Sequence, residues 1–442
     1  MVFFVSPQEF KRYIRTMEVI KPTRRSFLKN VGATAVFASF PQILIGAPAN
    51  NAKLKIGLIG AGGRGTGAAN QALSADGNTV LWAVGDAFES QIPVALQNLK
   101  GFGDRADVAK ERQFSGLDAY QKVIESGVDV VLLTTPPGFR PQHMRAAVEA
   151  GKHVFAEKPM AVDIAGMKSV MESAKMAKEK GTTLQHGYCW RFAPATREGY
   201  GKLLAGDLGR VISIYGTYLG GVPKPSTSID ARDPAWGDVE WQVRNWMGHE
   251  WLSGGPLMEQ CIHTVDKISW AMGDVAPIAA RGGGGRAQRT DDGNVWDHYD
   301  ITYEYPGGVM CHVGQRQFNN AFSEVEDRVF CDNGTLEAPS RVVTKDPTGK
   351  TIWAFRGDAG NMYQVCHNEW FAAIRKGEEL NTGDLMVSST MLGLLGREAA
   401  HTGQRVTWED LWKSDQDLAA DDLKMDDKHP VAPVPVPGTH TI

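Results

Sequence analysis

Residues 53–73 read KLKIGLIGAGGRGTGAANQAL, and no other stretch of the chain restricts its fold as strongly. Lys55 to Ile59 is a short apolar run, and Gly60-Ala61-Gly62-Gly63-Arg64-Gly65 then fits G-x-G-x-x-G. The spacing predicts a strand, a tight turn and a helix from about Thr66. Glycines let the backbone turn tightly and approach a pyrophosphate, whose charge suits the free amides and dipole of a helix N-terminus. The acidic residue expected about twenty positions further on is Asp86, which ends a second apolar run, TVLWAVGD. Its carboxylate would accept hydrogen bonds from a ribose diol and repel a 2′-phosphate. This favours NAD, while Arg64 leaves NADP open. Gly60, Gly62, Gly63, Arg64, Gly65 and Asp86 are therefore the first cofactor-binding candidates.

The alternation of strand and helix continues. VDVVLLTTP (128–136) is apolar almost throughout, as a buried parallel strand is. RPQHMRAAVEAG, KHVFAEKP (152–159), DIAGMKSVMESAKMAKEKG and TTLQHGY (182–188) read as helix, strand, helix and strand. In an open parallel sheet ligands lie off the carboxyl ends of the strands. That rule singles out Thr135, Pro136, Glu157, Lys158 and His186. A lysine at such a strand end, held by the following proline, can donate a hydrogen bond to a substrate hydroxyl and join a proton relay.

After residue 188 the pattern changes. GRVISIYGTYLGG alternates apolar and polar residues; HYDITYEYPGGVMCHVGQRQF reads as a hairpin turning at Pro306-Gly307-Gly308; DRVFCDNGTLEA predicts a strand pair about Asn333-Gly334. Strands in succession with helices to one side predict an α+β domain on an open, mainly antiparallel sheet, its free face open to association. The segment 223–255 is rich in Trp, Gly and Pro and has little periodicity. Its tryptophans, Trp246 among them, would offer flat faces to a pyranose ring, or simply pack the loop down. RGGGGRAQRTDDGN (281–294) reads as a flexible connection. NEWFAAIRKGEELN and SSTMLGLLGREAAHTG read as amphipathic helices, and the charged, then Pro-rich, stretch 413–442 as a disordered tail. The predicted organisation is thus a Rossmann domain over 53–188, an α+β domain over 189–412 and a tail.

Several motifs together resemble one family. G-x-G-x-x-G, TTPPxxxxxH ending at His143, AGKHVFAEKPMA, YCWRFAP, and a Gly-Gly stretch followed by His-x-x-Asp are similar to the Gfo/Idh/MocA group, which includes glucose–fructose oxidoreductase and inositol dehydrogenase. The resemblance covers about residues 53–412. It implies Lys158 in an active site beside a nicotinamide, with Glu157 and His143 on the cofactor side and Trp190 and Arg191 on the substrate side. It also implies that members often assemble as dimers or tetramers.

The stretch GGPLMEQCIHTVDKISW (254–270) carries the rest of the expected site. Its apolar residues recur near 3.6 positions apart, which predicts one helix with Glu259, His263 and Asp266 on a single face. In the family the matching histidine takes the substrate proton, and an aspartate stands four residues before it. Here that residue is Glu259, whose carboxylate reaches about one methylene further out. Asp266 joins the substrate-binding candidates. No metal site is expected, because Glu259 and His263 lack a third converging ligand and Cys261 points away from both.

The N-terminus contains Arg24-Arg25 in TRRSFLK, an apolar stretch from Val31 to Ile45, and Ala47-Pro48-Ala49. This is the pattern of a twin-arginine export signal with an A-x-A-like cleavage site over residues 1–49. It predicts a periplasmic or extracellular protein, folded around a tightly bound cofactor before export. The rest of the chain carries 40 basic and 49 acidic residues, which disfavours nucleic acid and anionic membranes as partners. No apolar run reaches the length of a membrane span. Five cysteines without C-x-x-C spacing are expected as buried free thiols.

These readings converge on an NAD(P)-dependent oxidoreductase acting on a sugar, glycoside or polyol. Two alternatives stay open. One is a glycoside hydrolase or lyase that oxidises its substrate transiently with a retained cofactor. The other is a non-catalytic sugar-binding protein on the same scaffold.

Overall fold

In the computed structural model, which describes residues 52–419 and 422–442, six parallel strands open the fold. They are β1 (Leu54–Ile59), β2 (Thr79–Asp86), β3 (Gln113–Ser115), β4 (Val130–Leu133), β5 (His153–Ala156) and β6 (Leu184–His186). Their order is β3-β2-β1-β4-β5-β6, the doubly wound arrangement whose direction of winding reverses between β1 and β4. All four residues of β4 are buried, as are five of the six in β1. A strand covered by helices on both faces must be apolar at every position. The predicted export signal lies outside the described residues.

Nine further strands make a second sheet: β7 (Val211–Gly220), β8 (Ala279–Gly285), β9 (His298–Tyr305), β10 (Val309–Gln317), β11 (Glu324–Cys331), β12 (Gly334–Ala338), β13 (Val343–Lys345), β14 (Thr351–Ala354) and β15 (Val406–Thr407). The order is β14-β13-β12-β11-β7-β10-β9-β8-β15. Both predicted hairpins form: Tyr305 faces Val309 across one turn, and Cys331 faces Gly334 across the other. The sheet is mainly antiparallel, but β7 runs parallel to β10. In β10 buried and half-buried residues alternate along the whole strand, as they do where one face of a sheet is covered. The helices Ile262–Ala271 and Gly383–Thr402 pack against this sheet.

Four local expectations are corrected. Residues 279–285 are strand β8, and the loop after it is held by Asp297, which accepts from the backbone amides of Ala287, Gln288 and Arg289. The helix Gly383–Thr402 is buried on all sides rather than amphipathic, because it is sandwiched between the sheet and the helices Ile164–Lys180 and Ile262–Ala271. The helix Met362–Lys376 lies within the segment assigned to the second domain yet packs on the helix Gly63–Ala75 of the first. Last, the described part of the tail is laid along the body. Leu418 N donates to Asp163 (2.7 Å), Trp296 Nε1 donates to Pro435 O (3.1 Å), and His440 Nε2 bonds Glu398 Oε2 (3.1 Å). Composition misjudged it because backbone groups, not side-chain hydrophobicity, make most of these contacts. All five cysteines are free and buried, as expected.

Candidate active site

A cavity of about 750 Å³ runs from the glycine turn at the carboxyl end of β1 across to the start of the helix Ile262–Ala271. The turn forms as the motif requires. Gly60 has φ +95°, and a Cβ on Gly65 would stand 1.8 Å from the Gly60 carbonyl oxygen. A Cβ on Gly62 or Gly63 would meet nothing within 4 Å, so these two glycines face open space. Asp86 lines the same cavity. Its carboxylate accepts from Ala61 N (2.7 Å) and Phe88 N (2.9 Å), and burial pushes its pKa up against those bonds. The residues fit a dinucleotide: a backbone cradle for the pyrophosphate, free of acidic side chains in the first helical turn, and a fixed carboxylate where the ribose would lie.

The other predicted cofactor residues also line the cavity: Arg64, Thr135, Pro136, His143, Glu157 and Lys158. Arg64 Nε lies 3.0 Å from Glu157 Oε1, and its guanidinium rests on the Tyr363 ring (4.6 Å). His143 stacks on Tyr120 (4.1 Å) and lies 3.2 Å from Thr135 Oγ1. Burial lowers its pKa to about 3, so it is neutral at physiological pH. Arg140, which the sequence reading missed, is buried beneath this wall and donates to Thr135 O and Pro159 O, bracing two strand-end loops. Burial brings its guanidinium down to about 10.

At the far end stand Lys158, Glu259 and His263. Lys158 Nζ donates to the Glu259 carbonyl and lies 3.3 Å from Glu259 Oε1. His263 is kept well below its usual pKa by burial and by the nearby cations Lys158 and Lys267. Its Nδ1 is buried with no hydrogen-bond partner. The arrangement therefore presents a neutral imidazole and an ammonium to the same space. Lys267 is itself fully buried against Asp327, a charge pair that periodicity alone did not reveal.

The predicted single helix is two. Pro256–Glu259 ends and Ile262–Ala271 begins around a step at Gln260-Cys261. Glu259 and His263 still share the cavity, but Asp266 does not reach it. Asp266 is 1% exposed and accepts from Arg191 Nε (2.8 Å) and Ser389 Oγ (2.7 Å), while Arg191 also pairs with Asp274 (2.6 Å). Trp190 and Arg191 are likewise absent from the cavity wall. Lys267 Nζ sits 5.2 Å from the Trp190 ring centroid. Asp266 and Arg191 are thus held in a buried ion pair instead of on the cavity wall, and Trp190 is half-buried beside Lys267. Their polarity gave the same sequence signal as a binding residue. Trp246 does line the cavity, joined from the same segment by Lys224, Thr227, Trp236, Trp241, Arg244 and Asn245.

A third group of polar residues lies away from this cavity. Glu398, His401 and His440 place ligand atoms within 4.8 Å of one another. Arg397 pairs with Glu398 at 2.8 Å, and His440 bonds the other Glu398 oxygen. The carboxylate is thus engaged by an arginine and a histidine, and the cluster anchors the tail.

A Rossmann sheet, a glycine cradle and an acid–base cluster in one cavity define a dinucleotide-dependent oxidoreductase. Comparison with known proteins names its family. Residues 54–188 match the oxidoreductase family with an NAD-binding Rossmann fold, and residues 202–337 match the GFO/IDH/MocA C-terminal domain. Together they span more than half of the chain, which belongs to the Gfo/Idh/MocA family of NAD(P)-dependent oxidoreductases. The 4-carboxy-2-hydroxymuconate-6-semialdehyde dehydrogenase of a Sphingobium strain is 27% identical over 61% of this chain and 77% of its own length. The 2,7-anhydro-N-acetylneuraminate hydratase of Escherichia coli is 24% identical over 52% of this chain, which spans 56% of that relative's length. A levoglucosan dehydrogenase solved with NADH and levoglucosan shares the fold, with a TM-score of 0.62 at 19% identity over 80% of this chain and 99% of that one.

Proposed function

We propose that the protein transfers hydride between a hydroxyl-bearing carbon of a sugar, glycoside or polyol and a tightly held NAD. The observation that carries this is His263, a neutral imidazole, in one cavity with the glycine cradle and the Lys158–Glu259 pair. The nicotinamide, when bound, supplies the hydride acceptor. His263 takes the hydroxyl proton. Lys158 donates a hydrogen bond to the same hydroxyl oxygen, and Glu259 holds the ammonium in place. Trp246 closes the substrate end. Asp86 favours NAD over NADP. Two similar proteins, named for an anhydro-neuraminate and for levoglucosan, support a carbohydrate substrate.

The second reading, a redox-neutral cycle on one substrate, gains support because one of these relatives is named a hydratase and not a dehydrogenase. Oxidation at a ring carbon acidifies the neighbouring C–H, and the base can take that proton once it has passed the hydroxyl proton on to solvent. The twin-arginine pattern supports export to the periplasm. There a retained cofactor would have to be regenerated in place, by this cycle or by a second sugar. The half-exposed face of the second sheet, with Ile212, Tyr215 and Phe330 each at least 40% exposed, supports assembly as a dimer or tetramer.

A panel of sugars and aryl glycosides, read for both cofactor absorbance and free-sugar release, separates the two chemistries. His263→Ala should lower turnover about 10²–10⁴-fold and leave cofactor bound. An unchanged rate overturns the assignment.

A further inference from the structure

The segment 223–255, expected to meet the sugar, does not lie only at the sugar end. Its helix Asp238–Arg244 crosses to the other end of the cavity, over the loop that follows Asp86. Val239 and Val243 are buried there in a small apolar cluster separate from the main cores, with Ala87, Phe88 and Leu117 packed against it. Arg244 stacks on the Phe88 ring (4.3 Å) and on Trp236 (4.2 Å), and Glu240 steadies its guanidinium at 2.5 Å. Phe88 is two residues past Asp86 and donates its amide to that carboxylate. A residue of the second domain thus reaches the place where the adenosine ribose belongs, and Arg244 lines the cavity there.

What keeps this helix down is the C-terminal tail. The first amides of a helix have no partner within it. Here Asp238 N donates to Asp427 O (3.1 Å) and Glu240 N to Met425 O (3.1 Å). In return His429 N donates to Asp238 Oδ2 (3.1 Å), and Gln242 Nε2 donates to His429 O. Leu418 and Leu423 add side chains to the same small cluster. The backbones approach so closely that a Cβ on Gly237 would lie 2.3 Å from Met425 O. Gly237 has φ −61°, which alanine adopts freely, so only the tail requires glycine there.

We propose that the helix Asp238–Arg244 is a cover over the adenosine half of the cofactor cleft, that Arg244 is its contact with the cofactor, and that residues 422–442 are the clasp that keeps the cover shut. The cofactor is then retained because its release requires the tail to lift first. The proposal rests on the cofactor site described above and explains how a retained dinucleotide would be held.

The test uses the full chain loaded with NADH and diluted into excess NAD, with loss of bound-NADH fluorescence timing release. Gly237→Ala should speed release about tenfold, the equivalent of losing one or two hydrogen bonds, while turnover with saturating NAD stays within about twofold. Removal of residues 422–442 should speed it at least as much. Arg244→Ala should weaken NADH binding and Arg244→Lys restore it only in part. Circular dichroism establishes that each variant is folded, and Leu423→Ala serves as a milder second probe should the truncation not fold. Folded Gly237→Ala and Leu423→Ala proteins that release NADH at the parent rate overturn the clasp. Arg244→Ala binding NADH as the parent does overturns the contact. Fast release from the parent would instead count against cofactor retention, and the ratio between parent and variant would still test the clasp.

Discussion

The cofactor end of the cavity and its substrate end are built from the chain in opposite ways. The cradle draws on Gly60 to Gly65 and Asp86, residues within one strand-turn-helix-strand unit whose geometry local sequence dictates. The opposite end joins Lys158 to Glu259 across 101 positions. No local rule links them; only the docking of the second domain does. The difference teaches that spacing motifs are trustworthy where backbone performs the binding, and weak where side chains must meet from separate elements.

The strongest way to break this comparison is at Arg191. If it is structural, Arg191→Leu leaves Asp266 buried without its cation and should cost about 3–5 kcal/mol of stability, read as a lower midpoint of thermal or urea unfolding. The Michaelis constant of whatever folds should stay within about twofold. A stable variant with a sharply raised constant would restore Arg191 to the substrate site. Next in size is Gly65→Ala, whose methyl would collide with the Gly60 carbonyl. Forcing extra atoms into so close an approach costs about 1–3 kcal/mol, so NADH affinity in a calorimetric titration should fall about ten- to a hundredfold. An unaltered affinity would mean that the motif does not form the cradle.

The smallest effect concerns the tail. His440 has a raised pKa because it hydrogen-bonds Glu398, with Glu250 adding attraction and Arg397 opposing it, while the neighbouring His401 is held neutral by burial. A raised folded-state pKa makes the contribution complete below the unfolded value of about 6.5. It is lost as the pH rises through the higher folded value. His440→Gln should therefore cost about 1 kcal/mol at pH 6, kept small by partial exposure, and nearly nothing at pH 9. A penalty that is the same at both pH values would show the histidine to be merely packed.

Much of the fold was legible. Apolar runs in β1 and β4 reported strands buried on both faces, and the turns at Pro306-Gly307-Gly308 and Asn333-Gly334 reported hairpins. Glu259 and His263 line one cavity as their spacing suggests, although the helix that was to carry both is broken at Gln260-Cys261. Asp266 was misread because a polar residue on an otherwise apolar helix looks alike whether its partner is a ligand or a buried arginine. Arg140 and Arg244 were missed because their contacts come from distant loops.

The sequence by itself determined the glycine turn after the first strand, the alternation of strand and helix, and the residue types that meet in the cavity, because backbone geometry and periodicity act over short spans. Only the tertiary structure decided that Arg191 and Asp266 pair with each other, that His263 is half-buried and neutral, and that the tail hydrogen-bonds the start of the helix Asp238–Arg244. Those outcomes depend on desolvation and on partners brought close by folding, and neither is a property of neighbouring residues along the chain.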